Sequence, residues 1–272
     1  MRAAVIGHVE WIDFLRVESV PKPGEIVHAS ETWAEAAGGG AVAAVQLTNL
    51  GCETSLFTVF GDDDLGRRSE EELASKGVRL HIAWVHKPHR RGFTYVDEAG
   101  ERTITVIGEK HHPRGEDESL PWEELHRCDC VYFTAGDVEA LRKARHARVL
   151  VATTRELATL RRAGVELDAL VGSATDAGER YEAGDVDPPP RLVVATSGRL
   201  GGWAQPGGPF AAAAPPGAFE DAYGAGDCFA AGLTFALARG DEPRDALAFA
   251  ARCGAAVVTG RGPYEMQLSD AG

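Results

Sequence analysis

Short apolar runs recur along the chain, and helical periodicity fills most of the gaps between them. AAVIG (3–7), TSLFTVFG (54–61), VYFTAG (131–136), RVLVAT (148–153), ALVGSA (169–174) and RLVVATSG (191–198) have few polar positions, as strands buried on both faces do. VRLHIAWVH (78–86) reads as a further strand. Between them, AGGGAVAAVQLTNLG (37–51) has small-residue helical spacing and a glycine stop at Gly51. DDDLGRRSEEELASKG (62–77) is amphipathic, with acids in its first turn and Gly77 at its end. Two more helices, 225–240 and 242–260, each run to a glycine.

Two segments break this alternation. IDFLRVESV and IVHASETW flank the turn PKPGE, and GFTYVDEAGERTITVIG folds back around DEAG. Both alternate apolar and polar positions, which predicts β-ribbons. The rest predicts an α/β fold with a largely parallel sheet covered by helices on both faces. The ribbons, within about 12–34 and 90–107, have no helices of their own and are expected to pair as a small β-sheet lid. No long linker or repeat divides the chain, so 1–272 reads as a single α/β domain.

Composition narrows the function classes. A net charge of −13 without a basic block argues against nucleic acid as partner. The N-terminal apolar run is too short for a signal-peptide core or a membrane span. Five scattered cysteines without a Cys-x-x-Cys pair fit neither a disulfide framework nor a zinc site, and the expected compartment is the cytoplasm.

The chemistry concentrates in DAYGAGDCFAAG (221–232). Gly224, Ala225 and Gly226 lead into an apolar helix, where free amides and the helix dipole form an anion site that glycines let a ligand approach. Asp227 beside a permanent anion would be repelled. The conflict disappears if Asp227 takes a proton from a hydroxyl that attacks phosphorus. The alternative is that Asp227 only caps the helix and the glycines only pack.

This segment resembles the Asp-Thr-x-Gly-Ala-Gly-Asp signature of the ribokinase-like (PfkB) carbohydrate kinases, with Ala222 in place of the Thr. The resemblance extends over essentially the whole chain. AGGGAVAAVQLTNLG is similar to the family's N-terminal glycine-rich signature, with Val42 where the family carries a sugar-touching Asn. Gly7 and Asp13 resemble its strand-end Gly and substrate-diol Asp, with one extra residue between them. GDDDLG (61–66) resembles its Gly-Asp-x-x-x-Gly element, and Asp176-Ala177-Gly178-Glu179 falls where it has Asn-x-x-Glu. TSGRLGG (196–202) resembles its nucleotide-lining turn.

The resemblance implies a three-layer ribokinase-like fold and an ATP-dependent kinase acting on a hydroxyl of a sugar or sugar-like acceptor. Asp227 would be the base, and the amides of Gly224, Ala225, Gly226 and Asp227 the anion hole. The acceptor would lie among Asp13, Gly38, Gly39, Gly40, Val42 and the lid. ATP would lie along Thr196, Ser197, Gly198, Gly201 and Gly202, and Glu179 with Asp176 would place Mg2+ through water. Family lids often pair, so a homodimer through the ribbons is expected too. Two other readings stay open: a nucleoside kinase of the same family, which an apolar Val42 would suit, and a non-catalytic ligand-binding protein on this fold.

Overall fold

The computed structural model describes residues 1–269, so the end of the expected 1–272 domain lies outside the described residues. β1 (Arg2–Ile6) is central to the larger sheet, paired in parallel with β4 (Glu53–Gly61) on one side and β8 (Cys130–Phe133) on the other. Beyond β4 lies parallel β5 (Arg79–Val85). Beyond β8 come β9 (Val149–Thr153), β10 (Ala169–Ser173) and β11 (Val193–Thr196), all parallel. An antiparallel hairpin, β12 (Gly202–Gln205) and β13 (Gly208–Phe210), finishes this nine-stranded sheet.

Alternation along the strands assigns the two covering layers. Ala3 and Val5 of β1 join the core under α1 (Gly39–Asn49), α5 (Ala225–Arg239) and α6 (Pro243–Val257). Ala4 and Ile6 join the opposite core with α3 (Val138–Ala144) and α4 (Leu157–Ala163). Residues of period two are thus apolar on both sides, which is why these strands read as unbroken hydrophobic runs. No helix among the described residues is long and apolar enough to cross a membrane.

The ribbons form a second sheet of four strands. Its order is β3 (Glu31–Ala37), β2 (Glu10–Arg16), β6 (Arg91–Val96), β7 (Arg102–Ile107), with β2 and β6 parallel and the outer pairs antiparallel. Phe14 faces the body of the protein, stacked on Trp33 at 4.9 Å and edge-on to Tyr223 at 5.0 Å. Its neighbours of like parity, Ile12, Thr94 and Val96, are fully buried. The return strand begins later than its alternation suggests, at Glu31 rather than near Ile26, which is 88% exposed. Pairing with β2 sets that boundary: Ala37 lies opposite Glu10, and Trp33 opposite Phe14.

GDDDLG pins this sheet to the larger one. Asp63 caps α2 (Asp64–Ser75) through Gly66 N and also accepts from His89 N at 2.8 Å. His89 is buried, which lowers its pKa to about 4, and its Nδ1 accepts from Gly61 N.

Candidate active site

β1, β8, β9, β10 and β11 all end at one edge of the larger sheet, and strand order reverses about β1. In open α/β sheets that crevice is where ligands bind. Three glycines make the crevice tight. A Cβ on Gly7 would lie 2.4 Å from Thr134 Cγ2 and 2.8 Å from Gly40 Cα. A Cβ on Gly40 would lie 2.7 Å from the His8 carbonyl, which accepts the Gly40 amide. A Cβ on Gly39 would lie 2.7 Å from Thr134 Oγ1 and 2.9 Å from Asp227 Oδ1.

Asp227 therefore sits where two helices begin. It belongs to the first turn of α5, and its carboxylate reaches the first turn of α1. Neither helix has a side-chain cap: Gly38 (φ 89°) precedes α1 and Gly224 (φ 81°) precedes α5. Both φ values lie in the left-handed region that glycine enters without strain. Gly226 is different. Its φ is not left-handed and a Cβ there would meet nothing within 4 Å, so the fold does not require a glycine at that helical position.

The loop before α5 is held from below. Buried Asp221 accepts from Tyr223 N at 2.8 Å and Gly262 N at 3.1 Å. The Gly38 amide donates to the Tyr223 hydroxyl oxygen, tying the two helix starts together. Val42 is fully buried in the seam between α1 and α5, its Cγ1 3.1 Å from where a Gly224 Cβ would be.

Burial raises the pKa of Asp227, opposed by the charges of His8, Arg102 and Arg155, while Glu179 reinforces the rise. Glu179, after β10, is itself buried and accepts from Ser173 N at 2.8 Å and Thr154 Oγ1 at 3.4 Å. Arg155 Nη2 bridges Glu179 Oε1 at 2.5 Å and Asp176 Oδ2 at 3.0 Å. These acids are hard oxygen donors, and no group of three His, Cys, Asp or Glu among the described residues could cage a metal. That donor set fits Mg2+ held mainly by phosphates and water.

The turn that resembles the family's nucleotide-lining one follows β11. Thr196 Oγ1 donates to the Gly172 carbonyl, Ser197 N to Gly201 O, and Gly198 to Leu200 form one 3-10 turn. Gly201 (φ 88°) leaves no room for a side chain, since a Cβ would overlap the Phe210 carbonyl, and Gly202 opens β12.

The structure gathers Gly38, Gly39, Gly40 and Gly224–Asp227 at one point, with Glu179 close enough to act on Asp227. It does not bring Asp13 there, and the Val42 side chain lies against Gly224 but is fully buried. Asp13 has the opposite parity to Ile12 and Phe14 on β2, so it faces away from the body and pairs with Arg91 at 3.4 Å. The acid on the inward face is Glu10, buried against His8. Val42 points into the helix seam because its helix packs that face on α5. Thr134, His8, Arg102 and Arg155 were not singled out from sequence. Each follows or begins a strand, and Thr134 and Arg155 stand just past the ends of β8 and β9.

The model of the pfkB family carbohydrate kinases matches residues 2–165 and 136–270. The ATP-dependent ribose-1-phosphate kinase of Halopiger xanaduensis is 29% identical over 100% of this chain and 96% of its own length. Dictyostelium discoideum ribokinase is 28% identical over 38% of this chain, so the match spans only 33% of that protein. A crystal structure of a putative ribokinase from Agrobacterium tumefaciens superposes with TM-score 0.81 at 21% identity, covering 99% of this chain and 94% of that one.

Proposed function

For a chain that belongs to the pfkB family of carbohydrate kinases, we propose that Asp227 is the base in transfer of the γ-phosphoryl group of ATP to a hydroxyl of a small sugar-type acceptor. The observation that carries this reading is one carboxylate set between two uncapped, glycine-led helix N-termini. Such a site attracts phosphate oxygens through amides and dipole, while the carboxylate remains free for the acceptor's proton.

The acceptor oxygen bonds to the γ-phosphorus as its proton passes to an oxygen of Asp227. The bond from that phosphorus to the β,γ-bridging oxygen breaks, and ADP leaves with the electron pair. The amides of Gly224, Ala225, Gly226 and Asp227 face the oxygens on which charge redistributes, and losing one such donor typically costs about 10²–10³-fold. Burial raises the proton affinity of Asp227, as a base for a weakly acidic hydroxyl requires. The carboxylate lies against Gly39, where an added Cβ would meet both it and Thr134 Oγ1. Thr196, Ser197, Gly198, Gly201 and Gly202 line the nucleotide. Glu179 and Asp176 would hold Mg2+ through water, and that ion supplies charge neutralisation on the phosphates.

The small sheet acts as a lid that excludes water from transfer. Leu15, Phe93 and Tyr95 lie half-buried on its outer face, which supports pairing of two copies through it.

The test is ADP release from Mg·ATP with sugars, sugar phosphates, polyols and nucleosides, each product checked by phosphorus NMR. One acceptor class giving a phosphate ester is the expected result. A nucleoside as best acceptor would move the reading to nucleoside kinase. ATP binding with no acceptor used would leave a ligand-binding protein.

A further inference from the structure

Resting on the reading that Glu179 and Asp176 hold Mg2+ through water, we propose that Arg155 and the ion compete for the same two carboxylates. Displaced from them, Arg155 carries its charge to the transferring phosphoryl group. It is thus a further residue of the reaction, and loading of the metal switches it on.

The oxygens of the two acids divide in the same way. Glu179 Oε2 is committed to the fold, accepting from Ser173 N at 2.8 Å and Thr154 Oγ1 at 3.4 Å. Asp176 Oδ1 is committed too, accepting from Gly178 N at 2.8 Å as cap of the short turn Ala177–Glu179. The remaining two, Glu179 Oε1 and Asp176 Oδ2, both face one atom, Arg155 Nη2, at 2.5 and 3.0 Å. The oxygens with capacity left for a cation or its waters therefore converge on a single point, and a guanidinium nitrogen fills it. Like charges repel, so a guanidinium and a hydrated divalent ion cannot both hold that point.

Arg155 is also free to leave. Its backbone is anchored where β9 ends at the crevice, its amide donating to Thr153 Oγ1 at 3.3 Å. Its side chain is 57% exposed and bonds only to these two acids among the described residues. Arg145 shows the structural use of the same residue type. Its guanidinium donates to Asp168 and to the carbonyls of Glu166, Ala147 and Arg148, so four bonds would break before it could move. An exposed ion pair of the Arg155 kind is held far more weakly.

Its destination is near. Arg155 is among the charges that lower the proton affinity of Asp227, so it already lies within electrostatic reach of the base. A planar guanidinium matches two phosphoryl oxygens at once, which a point charge does not. A cation placed on that group counts most where charge redistributes in the transition state. The exchange also has an order: the positive charge reaches the phosphoryl group only after the metal has taken the acids.

Calorimetry of ADP binding across Mg2+ concentrations reads the competition without turnover, and steady-state kinetics reads the second role. Both use the wild type, Arg155→Gln and Arg155→Lys, with thermal melts to confirm the fold. Arg155→Gln should lower the Mg2+ concentration that half-saturates ADP binding about tenfold, because the competing charge is gone. With saturating Mg·ATP and the best acceptor, its kcat should fall about 10²-fold with the ATP KM within about threefold. Arg155→Lys keeps one charge without the fork, so it should lie between the two in both measurements. Loss of a purely structural ion pair would not give tighter Mg2+ together with slower transfer. An unchanged Mg2+ requirement in Arg155→Gln, or an unchanged kcat, would overturn the proposal. If Mg2+ leaves the wild-type ADP affinity unaltered, the metal reading of Glu179 and Asp176 fails and the proposal with it, while the role of Asp227 stands. If no acceptor is turned over, the calorimetric arm decides: a lowered Mg2+ requirement supports the exchange, and an unchanged one removes it.

Discussion

Replacing Gly39 with alanine puts a methyl group against the Asp227 carboxylate. The new Cβ would lie 2.9 Å from Asp227 Oδ1 and 2.7 Å from Thr134 Oγ1, where ordinary contact begins near 3.4 Å. Both obstructing atoms end side chains, so they yield rather than the backbone, by about half an ångström or more. Gly39 is not in the left-handed region and opens a helix, so alanine adds no strain and favours the helix by up to about 1 kcal/mol. Stability should hold or rise. Turnover should not: a misplacement of about 1 Å at a reacting group can cost about 10²-fold, near 2.7 kcal/mol in the barrier. We expect Gly39→Ala to keep its Tm and its ATP affinity while kcat falls about 30–100-fold. Steady-state kinetics with calorimetric melting separates the two effects. In an Asp227→Asn background the same change should add almost nothing, because both act through one group. A kcat within threefold of wild type would refute the placement of the base.

Gly226→Ala should also stabilise α5 by up to about 1 kcal/mol, since no atom obstructs its Cβ, yet lower turnover if phosphate approaches that backbone; unchanged kinetics would remove the glycine argument. Glu35 has its pKa raised to about 7 by burial, with Glu72 and Asp221 adding to the rise and Lys76 and Arg261 opposing it. The folded state then keeps a proton that the unfolded chain releases above 4.5, so stability falls as pH rises from about 4.5 to 7, by at most about 3 kcal/mol. Urea melts across that range should show the slope in wild type and lose it in Glu35→Gln. Cys228 is fully buried and burial drives its thiol pKa up, so iodoacetamide should leave it unmodified until the protein unfolds, as peptide mapping would reveal.

The larger sheet was legible because its strands are covered on both faces, and each leaves an apolar run such as Val131–Phe133. The β12–β13 hairpin was not, since its short strands hold Gly202, Gly208 and Pro209 and expose Trp203. Asp227 and its glycines could be read because backbone geometry, helix capping and anion chemistry all restrict the same few positions. Side-chain direction could not. One residue of register decides whether β2 presents Glu10 or Asp13 to the body, and only pairing with β3 and β6 sets it. The cations acting on Asp227 were hidden for a related reason: His8 follows β1, Arg155 follows β9 and Arg102 opens β7, three segments far apart in the sequence.

Single-turnover kinetics of Asp227→Asn tests the central claim most directly. With the best acceptor and saturating Mg·ATP, nucleotide affinity should be nearly unchanged and phosphoryl transfer slower by at least about 10²–10⁴-fold. The wild-type rate should fall on the acid side with an apparent pKa above 3.8, the limb expected of Asp227 with its raised pKa, and the variant should lack that limb. Transfer within tenfold of wild type, with the acid limb still present, would mean that another group takes the proton.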